Sequence, residues 1–284
     1  MNDSVTDNLC SRNTLDALIR LCEQAGNAIL AYYHGADRIE VESKSDRTPL
    51  TAADLASHRL LDEGLQGLWP DVPVLSEESP LAVTAQRREW DRFWLVDPLD
   101  GTREFLEETG QFTINIALVE SHRPVLGLIY QPLEALAYAG IPGEGAWQIG
   151  ACDGSWRELA CRSLGGGFPT VLASARHRGP RLAHCLDWLN GAFGGHDRLN
   201  SGSAIKFCDM AAGRGDLYPR FSPCSEWDVA AGDALVSAAG GAVLDLAGVP
   251  LRYNCRDTLL SPDFIALADP TASQWRGLLG AMAT

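Results

Sequence analysis

Two aspartates, Asp97 and Asp100, stand at the end of an apolar run in the segment 94–102, WLVDPLDGT. The proline between them forces a turn, and a glycine and a threonine follow. Such a turn can direct both carboxylates, the Leu99 carbonyl and the Thr102 hydroxyl into one small space. These are hard oxygen ligands of the kind that Mg²⁺ prefers. Asp, Pro and Gly also favour turns for local reasons, so the segment alone is equally compatible with a simple turn.

Two further acidic segments lie at the ends of predicted regular elements. Residues 76–78, SEE, follow the apolar run 72–75, and Asp228 precedes a helical pattern that begins at Val229. The first is also compatible with a solvated loop, and the second with an ordinary N-cap. Carboxylates on separate segments are expected where two metal ions about 3.5–4 Å apart hold a phosphoryl group. The spacing leaves open whether these carboxylates converge.

The predicted helices and strands that must position these residues follow different patterns in the two halves of the chain. In the first half, apolar residues at helical spacing predict a helix capped at Asn13 or Thr14 and stopped at Gly35, and a second helix spans 52–68. Strand-like runs joined by short polar turns predict an antiparallel meander over 93–97, 112–120 and 123–132, with ALAYAGI after them. Beyond about Gly150, strands and helices alternate: TVLASA, a helix around 184–189, a helix near 204–212, LYPRF, and a helix over 229–239.

The length of 284 residues permits two coupled lobes, since single cores stop growing near ~250–300 residues. We predict an N-terminal α+β lobe over 1–150, with an antiparallel sheet that carries most of the candidate metal ligands. A C-terminal α/β lobe over 151–284 would contribute Asp228. The fold class is therefore α+β, a layered α/β sandwich whose two lobes share one active site.

Composition narrows the partners. A formal net charge of −14 argues against nucleic acid, which is held mainly by Lys and Arg. The eight cysteines form no C-x-x-C pair and no zinc-like cluster, which favours reduced thiols. The polar N-terminus and the lack of an apolar run near ~18 residues predict a cytoplasmic protein without a transmembrane segment.

The segments SEE, WLVDPLDGT and WDVAAG, in that order, resemble the signature of the inositol monophosphatase superfamily. Over nearly its whole length the chain also resembles the bacterial 3'(2'),5'-bisphosphate nucleotidases of sulfate assimilation. The segments that carry this second resemblance are SKSDRTPLTAAD, PDVPVLSEE, WLVDPLDGTREF, TINIAL, GSAIKFC and LYPRF. Inositol monophosphatases proper share the acidic motifs but not KFC and LYPRF. The departures, Arg103 for a common lysine and SARH for SRSH, touch no metal ligand.

The resemblance implies a phosphoric monoester hydrolase with an inositol monophosphatase-like sugar phosphatase fold, two or three Mg²⁺ ions per site and sensitivity to lithium. The implied metal ligands are Glu77, Asp97, the Leu99 carbonyl, Asp100 and Asp228. Asp54 and Thr102 would orient and deprotonate the attacking water. Asp54 also completes a capping box with Thr51 at the start of the second helix, and both roles can hold together.

The resemblance further implies that the substrate is adenosine 3',5'-bisphosphate and that its 3'-phosphate is removed. It leaves open whether the enzyme prefers this substrate or the corresponding 5'-phosphosulfate. The matching substrate positions are Gly101, Thr102, Ser174, His177, Gly202, Ser203, Lys206 and Arg220. Lys206 and Arg220 lie on consecutive elements of an acidic protein and suit an anion. The alternatives are a solvated lysine and an arginine paired with one of the many acids.

Two other functions stay open. The same metal site would serve an inositol or sugar phosphate phosphatase, and a metal- or nucleotide-binding protein without catalysis would need only part of it. Retention of Asp54 and Thr102 beside every expected carboxylate favours an enzyme. The resemblance also allows peripheral association with the inner membrane, and the sequence does not distinguish a monomer from a homodimer.

Overall fold

The computed structural model describes residues 9–35, 41–43, 49–174, 176 and 179–282. Its helices are α1 (Arg12–Tyr33), α2 (Ala52–Leu68), α3 (Leu81–Gln86), α4 (Thr102–Leu106), α5 (Pro180–Phe193), α6 (Ile205–Ala211), α7 (Ala230–Ala238) and α8 (Trp275–Met282). Two 3₁₀ turns lie at Arg87–Glu89 and Glu226–Asp228. Among the described residues, no helix is both long enough and apolar enough to cross a bilayer.

Three sheets account for the described strands. The first contains β3 (Val74–Ser76), β4 (Arg92–Asp100), β5 (Thr113–Glu120), β6 (Arg123–Gln131), β7 (Leu136–Ile141), β8 (Gly145–Gly150) and β9 (Trp156–Leu159), in that order. The second contains β10 (Thr170–Ala173), β11 (Asp197–Asn200), β12 (Leu217–Arg220), β13 (Ala242–Asp245) and β14 (Phe264–Leu267), in the order β11-β10-β12-β14-β13. The separate pair is β1 (Val41–Ser43) with β2 (Pro49–Thr51).

The predicted antiparallel meander is confirmed from β4 through β7, and it continues into β8 and β9, which were not predicted. Each of these strands pairs antiparallel with the next, and only β3 lies parallel to its neighbour β4. In the second sheet β10 runs parallel to both its neighbours, whereas β14 pairs antiparallel with β12 and β13. The first sheet continues past residue 150 to Leu159.

Alternation along β4 shows how the layers form. Trp94 and Val96 belong to the core beneath α1 and α2, while Phe93 and Leu95 belong to the core on the opposite face. Successive side chains of a strand point to opposite faces, so a strand buried on both sides is apolar throughout. The first sheet is therefore covered on both faces.

The second sheet repeats this arrangement. Tyr218 and Phe264 face the same core as α6 and α7, while Leu217 and Ile265 face α5 and α8. The layers thus follow the order helices, sheet, helices, sheet, helices. The predicted layered α/β sandwich is confirmed.

Helices α6 and α7 lie within a residue of their predicted bounds, whereas α5 extends well beyond the predicted 184–189 and the cap of α1 differs. Helices α3, α4 and α8 were not predicted. The cap predicted at Asn13 or Thr14 is wrong, because the helix begins at Arg12 and Ser11 Oγ accepts the Thr14 N–H at 3.2 Å. Helix α2 spans the predicted residues 52–68. All eight cysteines lie in the described part of the chain, and none of them forms a disulfide.

Candidate active site

Three carboxylates converge between the end of β4 and the start of α7. Asp97 and Asp100 lie at the end of β4, Asp228 ends the 3₁₀ turn before α7, and one oxygen from each lies within 4.8 Å of the others. Asp97 is 1% exposed. Residues far apart in the sequence thus form one acid cluster of Asp97, Asp100 and Asp228.

The turn in β4 that carries two of these carboxylates is fixed by local hydrogen bonds. The Leu99 N–H donates to Asp97 Oδ1 at 3.1 Å, and Ser57 Oγ of α2 donates to the Pro98 carbonyl at 2.8 Å. Gly101 follows with a φ of 91°, in the left-handed region that favours glycine. The strand's pairing with β5 shifts register between Asp97 and Asp100. This irregularity lets both carboxylates point to the same place.

The negative charges of the acid cluster repel one another unless a cation compensates them. Burial, and then the charges of Glu77, Asp100 and Asp228, raise the pKa of Asp97 well above its usual range. Burial, and then Asp100 and Glu77, raise the pKa of Asp228 to about 7. Like charges held together in a low-dielectric site favour protonation unless a positive ion compensates them. Carboxylate oxygens are the donors that hard divalent cations take, so these residues fit a magnesium-type site.

Glu77 lies at the end of β3, beside the acid cluster. Its N–H donates to the Val96 carbonyl at 3.1 Å, one strand position before Asp97. Ser76, the preceding residue, is held through its hydroxyl by His58 Nδ1 at 3.0 Å. Glu77 thus follows a fixed strand end and lies close enough for its charge to act on Asp97 and Asp228.

Asp54 and Thr102 lie together beside the turn. Thr102 Oγ1 is 3.3 Å from Asp54 Oδ1 and 3.4 Å from the Leu99 carbonyl. Asp54 Oδ2 accepts from the Thr51 N–H at 2.8 Å and from the Thr51 hydroxyl at 2.5 Å, which completes the predicted capping box. The capping role of Asp54 is confirmed, and its catalytic role stays a prediction with which the contact to Thr102 is compatible.

Asp228 has a similar double environment. Its side chain accepts the Ser225 N–H at 2.9 Å in a capping box of the 3₁₀ turn, and it also belongs to the acid cluster. Asp228 was considered as a possible N-cap, but the residue in that position is Ser225.

Asp100 is supported by polar residues that the sequence analysis did not assign to the metal site. Ser203 Oγ donates to Asp100 Oδ2 at 2.7 Å, and Asn115 Nδ2 lies 3.4 Å from the same oxygen. Thr113 Oγ1 contacts Ser203 Oγ at 2.6 Å and donates to Asn115 Oδ1 at 2.9 Å. The signal for Thr113 and Asn115 was their polarity within an otherwise apolar strand.

Beside the acid cluster lies a cavity of about 260 Å³, the catalytic cavity. Its walls include Asp100 and Asp228 together with predicted substrate residues from both lobes: Gly101, Ser174, Ser203, Lys206 and Arg220. The Gly202 N–H donates to Gln111 Oε1 at 2.8 Å. His177 lies outside the described residues. The substrate roles stay predictions.

The two residues predicted to contact an anion, Lys206 and Arg220, make different contacts with the protein. Lys206 is 2% exposed, its Nζ donates to the carbonyls of Ser201 and Ser203 at 3.1 and 2.6 Å, and burial lowers its pKa to about 8. Arg220 Nε donates to the Ser222 carbonyl at 3.1 Å. The burial of Lys206 rules out the alternative that it is a solvated lysine.

Three charged residues at the catalytic cavity were missed as site residues. Arg103, Glu104 and Arg176 line it, and Arg176 Nε lies 3.4 Å from Glu104 Oε1. Arg176 also pairs with Glu107, so the C-terminal lobe contacts α4 across the cavity. The only signal in the sequence was the charge of these residues beside the motifs.

An adjoining cavity of about 320 Å³ shares Ser174, Tyr218 and Arg220 with the catalytic cavity. Its other walls are mostly apolar or backbone, including Leu182 and Phe221. Charge-rich and apolar spaces thus meet at Arg220.

Comparison with known proteins identifies the family of the chain. A sequence model of the inositol monophosphatase family matches residues 11–278. The 3'(2'),5'-bisphosphate nucleotidase CysQ of Escherichia coli K12 is 43% identical over 250 residues, which are 88% of this chain and 98% of that protein. The crystal structure of CysQ from Bacteroides thetaiotaomicron is 36% identical with a TM-score of 0.76, covering 90% of this chain and 97% of that one. A Thermotoga maritima IMPase, at 22% identity and a TM-score of 0.74 over 95% of this chain and 98% of that one, shares the fold.

The chain therefore belongs to the inositol monophosphatase family. The expected phosphoric monoester hydrolase, related to the bisphosphate nucleotidases of that family, is confirmed.

Proposed function

We propose that the protein is a Mg²⁺-dependent 3'-phosphatase that converts adenosine 3',5'-bisphosphate to AMP and phosphate. One observation carries the proposal: Asp100 and Asp228 of the acid cluster line the same cavity as the cations Lys206 and Arg220. A bisphosphate needs one place for the reacting phosphate and another for the phosphate that stays. The CysQ relatives, which are 3'(2'),5'-bisphosphate nucleotidases, support the same substrate class.

The chemistry divides between the metal and the chain. Mg²⁺ held by Asp97, Asp100, Asp228, Glu77 and the Leu99 carbonyl would lower the pKa of the attacking water and neutralise phosphoryl charge. Thr102 lies within reach of Asp54, so the pair can orient this water and take its proton as its oxygen attacks phosphorus in line. The bond from phosphorus to O3' breaks, its electron pair stays on O3', and that oxygen takes up a proton from solvent, while Asp54 releases the proton of the attacking water to solvent.

The adjoining apolar cavity supports a nucleotide in preference to a bare sugar phosphate. A purine ring buries apolar surface, and the walls around Leu182 and Phe221 offer such a surface next to Arg220. Inositol phosphates would leave this space to water. The base would then lie on the C-terminal lobe while the 3'-phosphate meets the acid cluster.

Phosphate release from four substrates tests the proposal. At a fixed saturating Mg²⁺ concentration, kcat/KM for adenosine 3',5'-bisphosphate should exceed that for inositol 1-phosphate by about 100-fold or more, the value of one or two charge-assisted hydrogen bonds. The other two substrates are the 5'-phosphosulfate that corresponds to adenosine 3',5'-bisphosphate, and fructose 1,6-bisphosphate. Equal kcat/KM for inositol 1-phosphate would favour a sugar phosphate phosphatase, and Mg²⁺ binding without turnover would favour a binding protein.

A further inference from the structure

The guanidinium of Arg87 is buried although it belongs to no part of the catalytic cavity. Arg87 lies between β3 and β4, the two strands that lead to candidate metal ligands, and is 4% exposed. Its Nη1 donates to Asn254 Oδ1 at 2.5 Å, and its Nη2 donates to the carbonyls of Arg256 and Asp257, both at 2.8 Å. One side chain thus connects the N-terminal lobe to a distant loop of the C-terminal lobe.

Asn254 continues the connection. It is 2% exposed, its Nδ2 donates to the Arg87 carbonyl at 2.6 Å, and its N–H donates to Glu226 Oε2 at 2.7 Å. Its φ of 55° lies in the left-handed region, which asparagine adopts more readily than most residues. The backbone and side chain of Asn254 therefore bind two different charged partners.

Glu226 brings the connection to the acid cluster. It is 1% exposed, and its Oε1 accepts from Arg256 Nη2 at 2.7 Å. Its own N–H donates to the Leu259 carbonyl at 2.8 Å. Glu226 opens the 3₁₀ turn that ends at Asp228, so the side chain that is held and the candidate metal ligand share one rigid turn.

We propose that Arg87, Asn254 and Glu226 are positioning residues that hold Asp228 against Asp97 and Asp100 for metal binding. Mg²⁺ demands near-ideal ligand geometry, and its ligands here come from two lobes. Burying an arginine and a glutamate is costly compared with apolar side chains of similar volume, which favours a geometric role for this network. The inference rests on the metal assignment made for the proposed function.

The test measures Mg²⁺ binding without substrate, as the midpoint of the rise in Tm when the metal-free protein is titrated with Mg²⁺. Arg87→Met should raise this midpoint about 10-fold or more, the usual effect of removing a partner that orients a ligand. Asn254→Gly should do the same, since glycine keeps the left-handed backbone and its N–H while the link to Arg87 is lost. Arg88→Met is the matched control, because Arg88 is about half exposed and lies 3.6 Å from its partner Asp257.

The outcomes separate positioning from mere stability. The inference requires a shifted midpoint in Arg87→Met and Asn254→Gly, an unchanged midpoint in Arg88→Met, and kcat that recovers towards wild type at high Mg²⁺. A lower metal-free Tm with an unchanged midpoint would show a structural network only and would overturn it. If Arg87→Met does not fold, Asn254→Gly decides. A wild-type Tm unaffected by Mg²⁺ would overturn both proposals, whereas normal Mg²⁺ binding without bisphosphate hydrolysis would affect the proposed function alone.

Discussion

Asp54 and Asp228 each combine a local and a distant role. Both occupy the N3 position of a capping box, with Thr51 and Ser225 as the respective caps. The cap fixes one oxygen of each carboxylate by a backbone N–H, so the side chain loses little further freedom when it meets a ligand. A motif that the sequence assigns to helix initiation can therefore also prepare a carboxylate for catalysis.

Replacing a carboxylate of the acid cluster should remove activity without harming the fold. Asp97→Asn and Asp100→Asn should lower kcat by at least about 100-fold, because a charged metal ligand is lost. The Tm of metal-free Asp97→Asn should equal or exceed that of wild type, since repulsion within the cluster falls and the amide oxygen can still accept the Leu99 N–H. Turnover at saturating Mg²⁺ and thermal unfolding in a chelator measure both effects. Near-normal kcat in either variant would refute the ligand assignment.

Lys206 should act mainly on binding of the second phosphate. An ammonium has three N–H bonds, so Lys206 can hold the carbonyls of Ser201 and Ser203 and still donate to an anion in the catalytic cavity. Lys206→Met should raise KM for adenosine 3',5'-bisphosphate about 10- to 100-fold, as expected for a charge-assisted bond. KM for inositol 1-phosphate serves as the control and should change little. Equal losses on both substrates would mean that Lys206 supports the loop or contacts the reacting phosphate.

Among the elements, α7 follows Asp228 and packs unusually close to the first sheet. A Cβ at Gly127 of β6 would lie 2.3 Å from the Ala231 carbonyl oxygen, and one at Gly140 of β7 would lie 2.6 Å from Leu235 Cα. Glycine on the strands and small residues on the helix make this approach feasible. Helix α7 can therefore pack this close to the sheet only because Gly127 and Gly140 have no side chains.

Adding one methyl group should test this packing. Gly127→Ala should lower the free energy of unfolding by about 1–3 kcal/mol, because backbone must move. Gly67→Ala is a suitable control: Gly67 lies in α2 with no atom within 4 Å of an added Cβ, and alanine there should be neutral or stabilising by up to about 1 kcal/mol. Denaturant unfolding of the metal-free variants provides the comparison. A Gly127→Ala protein as stable as wild type would contradict the close approach.

Local patterns predicted the elements that have strong periodicity and failed where pairing or capping decides. Helix α2 and strands β4 to β6 followed from apolar periodicity. Strands such as β13 and β14 were not identified, because four-residue strands carry little pattern and exist through their partners. The α1 cap was misplaced because Ser11, Asn13 and Thr14 are all favourable cap residues and only the chain's path selects one.

At the scale of the whole molecule, the acid cluster could be recognised in the sequence only through resemblance. Its carboxylates come from β4 and from the turn before α7, and no local rule brings these together. The anchoring of Lys206 on backbone carbonyls and the pairing of Arg176 with α4 are also contacts between distant segments. The resemblance therefore predicted which carboxylates lie together, but no prediction of the contacts that surround them came from the sequence.

Lithium should inhibit the enzyme, as is typical of this family. Li⁺ is similar in size to Mg²⁺ but carries one charge, so it can occupy a loosely held metal position without supplying the same activation. Inhibition should be uncompetitive or mixed with respect to the bisphosphate, measured as initial rates over a Li⁺ series at constant ionic strength. Sodium at the same concentrations is the control. An equal response to both ions would exclude a site of this kind.

The shared middle layer also shapes how a newly made chain folds. The face of the first sheet that carries Phe93 and Leu95 is covered by α6 and α7, which leave the ribosome long after the sheet itself. Until then that apolar face is exposed, and such surfaces promote aggregation of nascent intermediates. Asp228 lies just before α7, so the acid cluster gains its last carboxylate as the helix that covers this face is made, and β13 and β14 then complete the same core.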